Sequence, residues 1–189
     1  MTELQNWWQS HYSSAVPVAH ILKQQIQDRW FRIHSLPESK RYPETPEEYS
    51  ILLARQNKIA TEVLGSQTQC LLLVGRFTGH PEPNIHSQRL PQIEGADFKL
   101  FTSVQESDME PDTISVYYAP IIWSPGRFDS IIKAVADERD VHILFAALET
   151  GEAYHPYDGG ADLFLASSER RDKLKEKYAQ WLSKHPQGF

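Results

Sequence analysis

The sequence predicts an α+β fold: a single globular domain over residues 1–189, with a mixed or mostly antiparallel sheet of about five or six strands packed with N-terminal helices, one central helix and a C-terminal helix. Segments with helical spacing come first, and strand-like segments follow with one helix among them, unlike the regular strand–helix alternation of doubly wound folds. The 189 residues are 40% hydrophobic and 11% aromatic, which is enough for one substantial core.

The helices are predicted from apolar spacing and from capping residues. Over residues 1–29 the apolar side chains recur every four residues, with a break near Ser13 that divides two helices. A third helix begins at Thr45-Pro46, a cap followed by a proline suited to the first turn, and ends at Gly65. Further caps predict a central helix and a closing helix: Ser124-Pro125, for a helix that ends near Asp140, and Ser167-Ser168.

The strands are predicted from short apolar or alternating runs. The run "CLLLVGRF" (Cys70–Phe77) is apolar almost throughout, which is typical of a central strand covered on both faces. "FKLFTSV" and "TISVYYAPIIW" predict an antiparallel hairpin. The remaining candidates are "WFRIHSL" at 30–36, "VHILFAAL" at 141–148 and "DLFLAS" at 162–167, with a turn at Thr150-Gly151 leading into "EAYHPY".

The charge is unevenly distributed along the chain. The net charge is −6, yet residues 80–166 carry 5 basic and 15 acidic side chains. An acidic surface repels phosphate backbones, so we expect no nucleic-acid partner. A basic protein partner would suit this segment, although solubility alone explains the charge more simply.

Localisation is predicted from what the sequence lacks. The N-terminal segment has no basic region followed by an apolar one, and no apolar run approaches the length of a membrane helix, so neither export nor a membrane partner is expected. The lone Cys70 cannot form a disulfide within the chain and fits a reducing compartment. We therefore expect a cytoplasmic protein.

The stretch "YHPYDGGAD" (154–162) is the richest in chemically useful side chains. In a functional interpretation His155 is a general base or ligand, Asp158 or Asp162 orients it, and the glycines let a substrate approach the backbone. In the structural interpretation, which we favour, Gly159-Gly160 take positive-φ turn positions, Asp158 bonds to the turn, and the two tyrosines are buried beside the sheet. The spacing matches no catalytic template.

Other chemical sites find little support. His80, Glu82 and His86 could meet on a loop, but no metal-ligand spacing is present, and we predict no metal. Cys70 lies in a run that should be buried, no GxSxG elbow occurs, and neither glycine-rich phosphate motif is found, so we also predict no cofactor.

The basic stretch "ESKRY" (38–42), together with Arg29, Arg32 and Arg55, could form an anion-binding cluster if the first strand and the third helix converge. The more ordinary alternative is that they pair with the acids of the middle segment. The candidate ligand-binding residues are therefore Arg32, Lys40, Arg41, His155, Tyr157, Asp158 and Asp162.

Two blocks resemble a group of bacterial proteins of unknown function: "FRIHSLPESKRYPETPEEYSILLARQNKIATEVLG" and "YHPYDGGADLFLASSERRDKLKEKYAQWLSKHPQGF". The shared signature is an LPESKRY segment with a closing DGGAD…WLS pattern. The second block is also distantly similar to a family whose pattern has Asp and Arg where this chain has Gly159 and Gly160, so a catalytic analogy loses its charged residues. The resemblance implies no established activity.

The function predicted is that of a non-enzymatic protein-binding domain with an acidic surface, immunity-like or accessory by analogy with small acidic bacterial proteins. The alternative is a small-molecule-binding protein or enzyme that uses the HPYDGGAD loop together with the basic residues of the LPESKRY region. It requires those two segments to meet in space.

Overall fold

A computed structural model describes residues 2–78, 89–107 and 110–182. Within these residues the chain forms five α-helices and seven β-strands. The helices are α1 (Glu3–Tyr12), α2 (Ala19–Gln25), α3 (Pro46–Leu64), α4 (Asp129–Ala136) and α5 (Ser168–Lys177). The strands are β1 (Trp30–His34), β2 (Thr68–Thr78), β3 (Lys99–Ser107), β4 (Glu110–Trp123), β5 (Ile143–Ala147), β6 (Ala153–Tyr157) and β7 (Gly160–Phe164).

The strands form one open sheet in the order β1-β7-β6-β5-β2-β4-β3, and all neighbouring pairs run antiparallel. The predicted α+β class and the β3–β4 hairpin are therefore confirmed. The predicted five or six strands become seven, because the segment "EAYHPY", placed after the Thr150-Gly151 turn but not counted as a strand, pairs with its neighbours as β6 despite its proline.

Helices cover both faces of the sheet. Leu71 and Leu73 of β2 pack with the side chains of α1 and α2, whereas Cys70, Leu72 and Val74 pack with those of α3, α4 and α5. Successive side chains of a strand point to opposite faces. A strand covered on both sides therefore has to be apolar throughout, and the predicted central position of this run is confirmed.

Helix α3 begins and ends where the sequence predicts. The Thr45 hydroxyl accepts a hydrogen bond from the Glu48 amide at 3.3 Å, and Pro46 occupies the first turn. At the other end Gly65 has a φ of +87°, a conformation that a side chain disfavours. The helix therefore needs no tertiary contact to define its ends.

Several boundaries differ from the prediction. The central helix begins at Asp129 rather than at Ser124-Pro125, because Gly126 adopts a φ of +82° in an intervening turn. It ends at Ala136, before the expected Asp140. The last strand begins at Gly160 instead of Asp162, since the hairpin turn before it is only two residues long.

No helix within the described residues is long and apolar enough to cross a bilayer.

Candidate functional site

Strands β6 and β7 form a hairpin whose two turn residues are Asp158 and Gly159, with Tyr157 opposite Gly160. A carboxylate oxygen of Asp158 accepts a hydrogen bond from the Gly159 amide at 2.9 Å, as the structural interpretation expected. The expected positive φ angles are wrong, because neither Gly159 nor Gly160 has one. Gly160 is required for a different reason: a Cβ there would overlap the backbone carbonyl of Ile33, so the glycine lets β1 lie close to β7.

Three of the predicted site residues form a row across neighbouring strands. Arg32 lies opposite Asp162, and Asp162 lies opposite His155. The Arg32 guanidinium holds both carboxylate oxygens of Asp162 at 2.8 Å, and the Trp30 indole donates to the same carboxylate at 2.9 Å. Burial alone would lower the pKa of Arg32, but the hydrogen bonds and charge of Asp162 outweigh it and leave the pKa raised.

Tyr157 covers this ion pair at the end of the hairpin. The Arg32 guanidinium carbon lies 4.2 Å from the centre of the Tyr157 ring, which is close enough for a cation–π contact. Burial raises the pKa of the Tyr157 hydroxyl, so this group stays protonated at neutral pH.

The LPESKRY segment meets the hairpin turn. Ser35, the residue before this segment, donates through its amide to the Gly159 carbonyl at 3.0 Å, and the Arg41 guanidinium holds the Asp158 carboxylate at 2.6 Å. Lys40 does not join them, because its ammonium pairs with Glu44 at 2.8 Å and Glu48 at 2.7 Å. Six of the seven predicted residues therefore come together, and the seventh lies on the side of the segment that faces α3.

A cleft of about 260 Å³ opens beside the hairpin. It lies between β6, the connection from α4 to β5, and one residue of α2. The lining residues are His20, Val135, Glu138, Asp140, Val141, His142, His155, Pro156, Tyr157 and Asp158. Three of the predicted site residues line it: His155, Tyr157 and Asp158.

Pro156 explains why β5 and β6 part at this point. The β5–β6 ladder pairs Phe145 with Tyr154, and two residues further on Ile143 would face Pro156. Alternate pairs of an antiparallel ladder share hydrogen bonds, but proline has no N–H to donate. The His155 ring supplies the missing partner, with its Nδ1 atom 2.6 Å from the Ile143 carbonyl oxygen. A side chain thus replaces a ladder bond where the cleft begins.

His142, which the sequence analysis did not single out, lines the opposite wall. Its backbone has a φ of +54°, an uncommon conformation for a residue with a side chain, and its ring lies 5.3 Å from that of His20. Its carbonyl accepts from the Gly75 amide at 2.9 Å, and a Cβ on Gly75 would lie 2.8 Å from the His142 Cβ. An isolated glycine inside a strand indicates such a close approach, so Gly75 was the available signal.

The other face of the hairpin holds a buried polar network that the sequence analysis also missed. The Gln56 side chain accepts from the Tyr154 hydroxyl at 2.6 Å and donates to the Ser35 hydroxyl at 2.6 Å and the Gly160 carbonyl at 2.8 Å. All three side chains are buried. A glutamine four residues after Leu52 on the apolar stripe of α3 was the signal. The network ties α3 to β6, β7 and the start of the LPESKRY segment.

Two of the chemical sites considered above are a metal centre and a reactive cysteine. Within it, no group of three or more His, Cys, Asp or Glu side chains is placed to hold a metal ion. His80, Glu82 and His86 lie outside the described residues. Burial raises the pKa of the Cys70 thiol to about 12, which leaves it unreactive at neutral pH.

Comparison with known proteins places most of the chain in one family. The family model described as "Domain of unknown function (DUF3885)" matches residues 18–186. No curated protein and no solved structure matches the chain.

Proposed function

The chain belongs to the DUF3885 family, whose function is unknown, and from that premise we propose that it is a non-enzymatic binding protein whose ligand enters the cleft beside the β6–β7 hairpin. The observation that carries this proposal is the meeting of the LPESKRY segment with the HPYDGGAD hairpin at the edge of that cleft. The hairpin supplies one wall of the cleft, and Arg41 and Tyr42 of the LPESKRY segment contact the lining residues Asp158 and Glu138.

Backbone strain near the cleft supports a binding role. Of the non-glycine residues with positive φ, Glu138 and His142 line the cleft, and Glu38 and Ser39 lie in the LPESKRY segment. Each such conformation costs about 1 to 3 kcal/mol and tends to persist at ligand sites, where the surrounding structure enforces it. The packing that enforces these backbone conformations also holds the nearby side chains in place before a ligand binds.

The ion pairs favour binding over catalysis. Arg32 and Arg41, which the sequence analysis considered as anion-binding groups, are each paired with an aspartate of the hairpin. A general base accepts the proton of a nucleophile, and a carboxylate that already accepts hydrogen bonds from an arginine is poorly suited to that role. The paired carboxylates instead stabilise the walls around the cleft.

The volume of the cleft limits the size of the ligand that it can hold. Its 260 Å³ corresponds to about nine water molecules at liquid density, which suits a small molecule or a single long side chain. A partner protein could insert one side chain into the cleft and contact the acidic segment 80–166 with the rest of its surface.

The test uses the full-length ¹⁵N-labelled chain and three probes of similar size and different charge: butylguanidinium, butylurea and valerate. We expect at least one probe to shift the amide signals of His142, His155 and Tyr157. Val141→Phe should abolish the shifts because it fills the cleft, whereas Ile122→Phe, on an exposed part of β4, should not. If no probe shifts these signals, or if Val141→Phe binds as well as the unmodified chain, the cleft is not the binding site.

A further inference from the structure

The charged residues that line the cleft are all of one sign. Glu138, Asp140 and Asp158 carry carboxylates, and no lysine or arginine of the described residues lines it. Two arginines that do not line the cleft partly neutralise these carboxylates. Arg76 pairs with Asp140 at 3.0 Å, and Arg41 pairs with Asp158 at 2.6 Å.

Of the three lining carboxylates, only Glu138 forms no direct ion pair with a cation of the described residues. Its hydrogen bond comes from the neutral Tyr42 hydroxyl at 2.8 Å, and its side chain is exposed at the rim. The neighbouring Arg139 pairs instead with Asp137 at 2.7 Å. Arg41 lies near enough for Glu138 to contribute to its raised pKa, but the direct contacts of Arg41 are with Asp158. The direct ion pairs of Arg76 and Arg41 are thus with Asp140 and Asp158, and the exposed Glu138 carboxylate remains accessible to a ligand.

His155 adds a hydrogen-bond acceptor inside the cleft. A carbonyl oxygen only accepts, so the contact with Ile143 requires the proton on Nδ1 of His155. Burial lowers the pKa of His155, and the ring is neutral at pH 7. Its Nε2 atom then carries a lone pair, and none of the described residues donates a hydrogen bond to it. This acceptor is independent of the acidic rim.

The remaining walls are apolar. Val135, Val141 and Pro156 provide surfaces that a hydrocarbon stem could contact. A ligand that satisfies this lining carries hydrogen-bond donors and a positive charge at one end and an alkyl chain at the other.

We propose that the cleft binds an amine or guanidinium cation carried on an alkyl stem. This inference rests on the binding role proposed above and specifies the class of ligand. The cation is either a free alkyl amine or guanidine, or the lysine or arginine side chain of a basic protein. The recognition chemistry is the same for both sources.

Butylguanidinium and butylurea test the charge, because they have nearly the same shape and only the first is cationic. We expect butylguanidinium to bind at least about tenfold more tightly, a difference of about 1.4 kcal/mol, and to lose affinity as salt is added. Glu138→Gln should weaken butylguanidinium binding about three- to tenfold and leave butylurea unchanged. Glu176→Gln, which removes the same charge from an exposed position on α5, is the matched control.

The outcomes separate this inference from the proposed function. If butylurea or valerate shifts the cleft amides and butylguanidinium binds no better, the cleft is a binding site but the cation inference is wrong. If none of the probes shifts them, both proposals fail. If Glu176→Gln weakens butylguanidinium binding as much as Glu138→Gln does, the preference reflects overall charge and not the cleft, and the inference is again wrong.

A second arm identifies the source of the cation, with the peptide acetyl-Gly-Arg-Gly-amide compared against butylguanidinium. Tighter binding of the peptide indicates that the cation belongs to a protein, since the flanking backbone then adds contacts. Equal or weaker binding indicates a free small molecule. Both results support a cation site, and failure of both ligands overturns it.

Discussion

The two faces of the β6–β7 hairpin use polar residues in opposite ways. On the face toward α3, Tyr154 and Gln56 form a closed network in which every polar side-chain atom has a partner. On the other face, the adjacent His155 bonds through one ring nitrogen and presents the other to the cleft. Because successive side chains of a strand point to opposite faces, neighbours in sequence divide between a sealed interior and an open site. The closed network should govern stability, and the open face should govern binding.

The largest loss of stability should come from replacing Gly160, at which β1 lies close to β7. Gly160→Ala would set a Cβ against the Ile33 carbonyl, and backbone atoms cannot rotate away as a flexible side chain does. Strand β1 would have to move off β7, with loss of the Gln56–Gly160 hydrogen bond as well. We expect a loss of about 3 to 5 kcal/mol in the free energy of unfolding, measured by urea denaturation.

Gly95→Ala is the control for the loss of glycine itself. Gly95 has a φ of +75° but open space around it, so only the conformational cost of about 1 kcal/mol applies. Equal losses in the two variants would mean that β1 and β7 tolerate separation, and that the close approach contributes nothing specific.

The next effect concerns the closed network. Tyr154→Phe removes the hydroxyl and leaves a buried Gln56 oxygen without a donor, for an expected loss of about 1 to 3 kcal/mol by urea denaturation. Tyr49→Phe is the matched control, since the Tyr49 hydroxyl donates to Asp137 at the same distance of 2.6 Å but within reach of water. Water can replace that bond, so the control should lose less. A larger loss in Tyr49→Phe would contradict a stabilising role for the network.

The ends of α3, the buried strand and the fold class could be predicted because they depend on local chemistry. Thr45, Pro46 and Gly65 define α3 without tertiary contacts, and an apolar run is sufficient to indicate a strand covered on both sides. Most of the polar residues around the hairpin could also be identified from the sequence, because they lie in two short segments.

The cleft could not be predicted, because it depends on register between distant strands. His142 and His155 line it from separate elements. Gly75 lets His142 lie close to β2, and the missing amide of Pro156 lets β5 and β6 part. The sequence analysis did not count the segment that became β6 as a strand, and a proline inside a strand is uncommon. Its consequence, a ladder bond made by a side chain, becomes visible only when the partner strand is known.

The pH dependence of stability provides a third test of the difference between the faces. Burial lowers the pKa of His155 below its ordinary value of 6.5, so the unfolded chain binds a proton more readily than the folded chain. The free energy of unfolding should therefore fall as the pH drops through 6.5, by at most about 1.4 kcal/mol per pH unit for one histidine. In His155→Gln, urea denaturation between pH 7.5 and 5 (about the range in which histidine titrates) should show a shallower decline.

The decline should not vanish in His155→Gln, since His11 and His34 also have lowered pKa values. Tyr154→Phe serves as the comparison, because it should lower stability at every pH without changing the slope. An unchanged slope in His155→Gln would mean that folding does not lower the pKa of His155, and the assumed burial of its ring would be wrong.

The smallest effect is expected at the rim. Arg41 pairs with Asp158 across the two segments, but the Arg41 side chain is 62% exposed, so water and salt screen the pair. Arg41→Ala should cost less than about 1 kcal/mol, and the loss should shrink in about 0.5 M salt. The Ser35 amide, which bonds to the Gly159 carbonyl, should keep its protection from hydrogen exchange. If that protection were lost, the LPESKRY segment would be held by its exposed ion pair. Retained protection means instead that the buried contacts of Gln56 hold the segment in place, and that the rim is free to exchange its partners for a ligand.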